Sequence, residues 1–374
     1  MPLKILLTNS SSIYGGGEFY VFELAQSLVG RGHSVWVSCR SDNLLLEKCK
    51  AAGIPVLPLD FPPKGQFPRF ISALSDFLRT NGIQIIHSNT NYDRTAAAFA
   101  SRFAGAAHVT NVHSFQSIQH NLTHWVRNHW MTDHVLVDGF CVKELLERED
   151  RISPGKISVV YLGVQPDTMK HDEAFRGMVR REFGISDRET VIGNVARLVP
   201  FKGHSMLLRA FAEIVPKFPN ARLMLVGDGE LMGELRKQCE SLGMMPQTIF
   251  AGFRDDLHAV YSAFDVYAHS SIEGGGETFP FAVLQALAQS LPVVVTRVGD
   301  VHAMVEEGKN GYVLPDGDPK SLAEKIAVLL SNPGRRSEMG KASLEILHRQ
   351  FTLQRMTDAV EKVYRNVLQD REYR

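Results

Sequence analysis

Short apolar runs alternating with amphipathic helical patterns, twice over, constrain this chain more than any other feature. In the first half, residues 3–8, 34–38, 54–59, 83–87, 107–112 and 134–137 are apolar runs of strand length. Between the first two, Val21, Leu24, Ala25 and Leu28 recur at the spacing of one buried helix face, which predicts a helix opening at about Glu18 and closing at Gly30 and Gly32. The second half repeats the plan at 191–195, 222–226, 249–252, 266–269, 292–296 and 311–314, with helices centred near Leu208, Leu235, Leu284 and Ala323. Continuous apolar strands with helices between them imply parallel sheets covered on both faces. No short-period repeat accompanies the pattern, so the architecture is duplicated rather than solenoidal. The expected fold is therefore α/β, with two doubly wound Rossmann-like domains facing across a cleft. Residues 158–162 form a further possible strand, and a polar, proline-containing link follows at 163–173. The boundary is expected near residue 166, giving domains 1–166 and 167–352, with a last helix over about 353–368 inside a terminal segment 353–374. Ligands of such folds bind at the carboxyl ends of the strands.

Composition narrows the function classes. Lys plus Arg and Asp plus Glu are both 41 in 374 residues, so the formal charge is zero, and a dedicated nucleic-acid binder is not expected. Cys39, Cys49, Cys141 and Cys239 form no CxxC pair, which argues against a disulfide framework or structural zinc. The opening MPLKILLTNSSS lacks the apolar stretch of a secretory leader, and no run approaches the roughly 20 apolar residues of a membrane span. A cytoplasmic protein is expected.

Several segments carry chemistry. In NVARLVPFKG, Arg197 and Lys202 leave the end of a buried strand before Gly203, a placement that suits a diphosphate, though a solvated basic loop has the same appearance. In SSIEGGGETFPFAVLQALAQ, a glycine-rich loop precedes a helix expected to begin near Phe279, where backbone N–H groups favour anions. Glu273 and Glu277 in that loop would repel phosphate and fit sugar hydroxyls better, unless they are ordinary helix-start acids. Gly15, Gly16 and Gly17 form a third anion-tolerant helix start. Gly227, Gly229 and Gly233 in VGDGELMG approach a dinucleotide fingerprint, but with the wrong last spacing, and a tight turn explains them as well. His120 and His124 could share a helix face as zinc ligands do, without the glutamate of an HExxH motif. His113 follows the 107–112 strand and is placed for the cleft. Asp316 and Asp318 in LPDGDPKSL read as a turn and helix cap before a metal-binding DxD.

Taken in order, GGGEFYVFELAQSLVGRGHSVWV, GNVARLVPFKG, ARLMLVGDGEL, IFAGFRDDL, AFDVYAHSS, ETFPFAVLQALAQSLPVVVT and NGYVLPDGDPKSLAEKI resemble the retaining GT-B glycosyltransferases of family 4, also called group 1, over nearly the whole chain. The resemblance implies an acceptor-binding N-domain, a donor-binding C-domain and a terminal helix that crosses back to the N-domain. It implies hexosyl transfer from a nucleotide-diphosphate sugar, with UDP the first expectation and GDP the second, to a glycan, lipid-linked or small-molecule acceptor in cell-surface polysaccharide or lipopolysaccharide synthesis. No metal and no cofactor is implied. Arg197 and Lys202 would neutralise the departing diphosphate, and Glu277 matches the first acid of the E-x7-E element that contacts the donor sugar. The backbone of Thr278, Phe279, Pro280 and Phe281 would meet sugar and phosphates, Gly252 and Phe253 would border the base, His113 would lie near the donor sugar, and Gly15 to Gly17 would lie near the reaction centre.

The chain departs from that pattern. The second acid of E-x7-E is Gln285, which is expected to weaken the ribose contact; Glu273 rivals Glu277; Ala303 and Asp138 stand where an acid and a serine are common. The stretch from Ser117 to Met131, SIQHNLTHWVRNHWM, is expected to be a helix whose Trp125 and Trp130 either meet a membrane or pack on their own domain. Rival readings are an NAD(P)-dependent dehydrogenase, a catalytically silent nucleotide-sugar binder and a sugar-nucleotide epimerase.

Overall fold

The structure, a computed structural model, describes residues 1–60 and 67–372. It divides into two compact units, Met1–Gly163 with the segment from Leu353, and Val164–Thr352. In the first unit, β1 (Lys4–Asn9), β2 (Ser34–Cys39), β3 (Val56–Pro58), β4 (Ile85–Ser88), β5 (Ala107–Val112), β6 (His134–Val137) and β7 (Ile157–Val159) make a parallel sheet in the order β3-β2-β1-β4-β5-β6-β7. In the second, β8 (Thr190–Val195), β9 (Ala221–Val226), β10 (Thr248–Gly252), β11 (Val266–His269), β12 (Val293–Thr296) and β13 (Gly311–Leu314) order as β10-β9-β8-β11-β12-β13, again parallel. Both sheets are doubly wound, as the alternation predicts. Chain direction reverses across the sheet between β1 and β4 in one unit and between β8 and β11 in the other. At such switch points neighbouring loops diverge and leave room for a ligand.

The strands are apolar on both faces because helices cover both. Val293, Val294 and Val295 are fully buried, as are Ile5, Leu6 and Leu7 of β1. In the second unit Ile192, Leu223, Leu225, Val266 and Val294 meet Leu207, Phe211 and Ile326 of the flanking helices in one continuous core. Each such side chain contributes about 1.5–3 kcal/mol on burial.

Two expectations need correcting. The first helix spans Gly16–Gly30, so Gly16 and Gly17 lie in its first turn and only Gly15 precedes it. The cause is Glu18, whose Oε2 accepts from the Gly15 N–H at 2.8 Å and so satisfies a donor that a helix start leaves open. The stretch from Ser117 to Met131 is likewise not one helix. Asn121 caps a short helix, Leu122–Val126, by accepting from the His124 N–H, and a π-helical turn, Arg127–Met131, follows. Ile118 is buried, its N–H held by Asp150.

The terminal helix Leu353–Glu372 belongs to the first unit. Met356, Val360, Tyr364 and Val367 are buried, and Arg31 reaches Asp358 at 2.6 Å and Glu361 at 3.2 Å. The Tyr364 hydroxyl meets Nδ1 of the buried His87 at 2.6 Å.

Candidate active site

In the second unit the chain leaves β8 through Ala196–Lys202, turns at Gly203 and enters the helix His204–Ile214. Gly203 has φ +66°, and a Cβ there would lie 1.9 Å from the Ser270 carbonyl oxygen, so this turn can sit on the loop after β11 only as glycine. That loop is tied down in return: Ser270 Oγ donates to the Lys202 carbonyl at 2.9 Å and the Ile272 N–H to the Phe201 carbonyl at 2.8 Å. The two loops thereby place Lys202 and Glu277 side by side at the switch point, in an ion pair with both side chains largely buried.

More groups converge on the same carboxylate. Ser271 Oγ donates to Glu277 Oε2 at 2.9 Å, and His269 Nε2 lies 3.4 Å from that oxygen and 3.1 Å from Ser271 Oγ. Burial opposes the charge on Glu277. The Lys202 ammonium, with His269 close by, nevertheless holds its carboxyl well below the usual carboxylate range. Burial pushes His269 down, against the pull of Glu277, and pushes His204 down to about 3 with the help of Lys202. Behind the pair, His269 Nδ1, both ring nitrogens of His204 and Asn194 Oδ1 are buried with no hydrogen-bond partner among the described residues.

The remaining predicted residues fall into place around this group or away from it. Arg197 is exposed, with no ion pair among the described residues. Glu273 is also exposed and joins the loop by its backbone, its N–H held by Asp316 at 2.9 Å, so the structure groups Glu277 with Lys202 and sets Glu273 outside. Asp318 caps the helix Pro319–Ser331 through the N–H groups of Lys320 and Ser321, which makes LPDGDPKSL a turn and cap. Thr278, Phe279 and Pro280 are buried ahead of the helix Phe281–Ala288, which begins two residues later than expected. Phe279 turns toward Phe351, with ring centroids 5.4 Å apart, and leaves only its backbone to the loop. Gln285 is buried one turn into that helix. Gly252 ends β10 with φ +71°, followed by an exposed Phe253. Gly227 packs on the β8 loop, where a Cβ would lie 2.0 Å from the Ala196 carbonyl oxygen; loop packing, not a dinucleotide, explains VGDG.

In the first unit His113, just past β5, pairs with Asp138, just past β6, through Nδ1 and Oδ2 at 2.7 Å. Tyr20 sets its ring edge against His113 at 4.8 Å between centroids. His120 and His124 are neighbours at 5.6 Å, but His124 Nδ1 already accepts the His120 N–H. Among the described residues no three His, Cys, Asp or Glu side chains gather in a form that would hold a metal ion.

The sequence reading missed His269, Ser271, His204 and the pairing of Asp138 with His113. The signal for the first was a polar residue in an otherwise apolar buried strand, VYAH, with Ser271 two positions on and so facing the same way.

Comparison with known proteins bears on the family and the fold. The family model for group 1 glycosyl transferases matches residues 176–345, and that for glycosyltransferase family 4 matches residues 14–168. The chain belongs to this family of GT-B glycosyltransferases. It is 26% identical to an N-acetyl-alpha-D-glucosaminyl L-malate synthase of Bacillus anthracis over 60% of this chain and 58% of that one. It is 32% identical to a GDP-mannose-dependent alpha-(1-6)-phosphatidylinositol monomannoside mannosyltransferase of Mycolicibacterium smegmatis over 48% of each. The matched part thus spans about half the length of these relatives. The structure of Anabaena Alr3699/HepE in complex with UDP-glucose superposes with a TM-score of 0.86 at 23% identity, over 97% of this chain and all of that one, and shares its fold.

Proposed function

We propose that the protein is a retaining, metal-independent hexosyltransferase whose second unit binds a nucleotide-diphosphate sugar at the β8/β11 switch point. The observation that carries this reading is the buried Lys202–Glu277 pair, a cation and a sugar-hydroxyl acceptor held together where a doubly wound sheet receives its ligand. Lys202, with Arg197, would neutralise the diphosphate as the sugar leaves, which is the work a metal does elsewhere. Glu277 would accept from the donor sugar, the backbone of Thr278, Phe279, Pro280 and Phe281 would meet sugar and phosphate, and Gly252 and Phe253 would border the base. Gln285 would contact the ribose. On this reading no side chain acts as nucleophile: the acceptor hydroxyl would attack from the leaving-group side and pass its proton to the departing phosphate. His113 and the Gly15 to Gly17 helix start would serve that step from the first unit, which would recognise the acceptor. UDP is the first donor expected and GDP the second, in keeping with the ligand of the Anabaena protein and the donor of the mycobacterial relative.

A thermal-shift screen over UDP-, GDP- and ADP-sugars tests the reading, since a ligand at 100 times its Kd stabilises by about 2.7 kcal/mol. One nucleotide class raising the melting temperature is expected; none doing so would end the proposal. Gln285 favours a second reading, a nucleotide-sugar binder without transfer, which detection of transfer or of slow donor hydrolysis rejects.

For the acceptor we favour a glycan or glycolipid of cell-surface polysaccharide synthesis, met by a peripheral contact at the cytoplasmic membrane face. Leu122 and Trp130 are 75% and 67% exposed, and Trp125 lies beside Trp130 with centroids 5.7 Å apart and ring planes inclined by 60°. No described helix is long and apolar enough to cross a membrane. Flotation with anionic liposomes should be lost in a Trp125→Ala/Trp130→Ala protein; equal flotation of both would remove the membrane contact.

A further inference from the structure

Lys202 has two claimants. In the structure its ammonium pairs with Glu277, a carboxylate otherwise shielded from water. On the proposed reading the same ammonium must also meet a diphosphate. A diphosphate beside the ammonium offsets the positive charge on which Glu277 relies, and a buried carboxylate without a countercharge is costly. Something has to replace the withdrawn charge.

The structure holds one group placed to do so. His269, at the end of β11, is buried, and its Nε2 lies 3.4 Å from Glu277 Oε2 and 3.1 Å from Ser271 Oγ, which itself donates to Glu277 at 2.9 Å. Nε2–H to Ser271, and Ser271 O–H to Glu277, is the arrangement in which every one of these donors meets an acceptor. It leaves Nδ1 with its lone pair, buried and unpartnered. A basic nitrogen with no hydrogen to accept is a vacancy for a proton.

We infer that His269 and Ser271 are positioning residues for Glu277, and that His269 takes up one proton from solvent when a nucleotide-sugar diphosphate draws Lys202 away. The proton balance is simple: Lys202 stays an ammonium and changes partner, Glu277 stays ionised, and imidazole becomes imidazolium beside it. The groups facing His269 pull in both directions in the free protein. Glu277 favours the imidazolium; Lys202 opposes it until phosphate neutralises it; His204, across on the β8 side, is itself neutral; and Tyr267, stacked along the same strand, is uncharged. Burial keeps the ring neutral in the free protein. Donor binding should therefore be tighter at lower pH, in the range where free His269 is neutral and bound His269 is charged.

This inference rests on the proposed donor site, and calorimetry separates the two. UDP-glucose, and GDP-mannose in its place if UDP-glucose does not bind, are titrated into the protein at neutral pH in buffers of widely different ionisation heat. Their diphosphates are esterified at both ends and, unlike a terminal phosphate, have no proton to exchange near neutrality. The expected result is uptake of about one proton, with affinity weakening by up to about tenfold per pH unit on the alkaline side. His269→Gln keeps a side-chain donor that does not titrate, so it should bind without uptake and with a flat pH profile. Nitrogen NMR of the histidine side chains in the unaltered protein provides a check independent of the variant's folding: one buried imidazole should pass from neutral to charged on ligand binding. Binding without proton uptake, or uptake that survives in His269→Gln, would overturn the inference and leave the donor site standing. Failure of both nucleotide sugars to bind at any pH would sink the donor site and this inference together.

Discussion

The two units share a topology and differ in the chemistry it carries. Each sheet reverses at one point, and each reversal gathers polar residues at strand ends. In the second unit those residues are charged: Lys202 and Glu277 face each other, supported by His269 and Ser271. In the first unit amides and hydroxyls predominate, with Glu18, Asp93 and Arg94 buried beside them. The hydroxyls of Ser10 and Thr90 bond each other, Asn89 donates to the Thr8 and His87 carbonyls, and Asn9 accepts from Ser11. The nearby acid, Asp93, holds the Thr90 N–H at 3.0 Å, and burial pushes its carboxyl up to about 7. A doubly wound sheet decides where a ligand can sit; the strand-end residues decide which. A switch point built around a cation suits a diphosphate, and one lined mainly by amides and hydroxyls suits the hydroxyls of an acceptor.

The largest effect should come from the charged side. Lys202→Ala removes the cation and strands Glu277 in a buried position, a loss of about 3–5 kcal/mol for such a pair, and transfer should fall at least about a hundredfold. Adding Glu277→Gln should restore most of the stability, because the unpaired charge disappears, and none of the transfer. Thermal melting and donor turnover measured on the same three proteins check both halves. A Lys202→Ala protein as stable as its parent would mean that the pair is not buried in solution. Arg197→Ala should reduce transfer comparably with little change in melting, because Arg197 is exposed.

The acids at the two switch points should respond to pH in opposite senses. Asp93 titrates higher folded than unfolded, so the stability linked to it is full below about pH 4 and is lost as pH rises through about 7. Glu277 titrates lower folded than unfolded, so its contribution is present above the ordinary carboxylate range and is lost only in acid. Asp93→Asn keeps an acceptor for Thr90 and has no proton to lose. It should leave stability unchanged near pH 4 and raise it by on the order of 2–4 kcal/mol at pH 8. Denaturant unfolding at the two pH values distinguishes this from a pH-independent effect, which would mean that Asp93 is charged at little cost.

On the first unit's side, Asp138→Asn replaces a charge-assisted bond to His113 with a neutral one, worth about 1 kcal/mol less. Transfer should fall roughly fivefold through kcat, with donor KM little changed, because His113 belongs to the first unit and the proposed donor site to the second. A rise in donor KM instead would assign His113 to donor affinity.

The parts of this arrangement legible in sequence were those that repeat or that only one residue type can fill. Strand runs such as VVVT and helix faces such as Val21, Leu24 and Leu28 are periodic, and Gly203 and Gly227 sit where any Cβ would strike a neighbouring carbonyl. Lys202 and Glu277 were visible separately, as a cation and an acid in different loops. Their pairing was not, because it depends on how the β8 and β11 loops are stitched through Ser270 and Ile272. His269 and Asp138 were hidden for the same reason: each acts through a partner more than five residues away, at a distance that only the sheet order sets. Helix starts failed more locally. Glu18 and Asn121 each satisfied a backbone donor and moved a boundary that apolar periodicity could not fix.

The most specific effect lies in the second unit, where Gln285 occupies the second position of E-x7-E. Two terms act in Gln285→Glu. The new carboxylate is buried one turn into the helix, so in the free protein it is poorly solvated and costs stability. With a ribose diol present it gains charge-assisted bonds of about 1.5–3 kcal/mol where the amide made neutral ones of about 0.5–1.5. Affinity responds to the difference between bound and free states, and both terms act in its favour: the free state rises and the bound state falls. Nucleotide binding should therefore tighten by about fivefold to tenfold, while the unliganded protein melts at a lower temperature. Calorimetry and melting on one pair of proteins read the two terms independently. A lower melting temperature with unchanged affinity would place the ribose away from this helix, and the charged switch point would then hold the diphosphate by Lys202 and the loop backbone without help from residue 285.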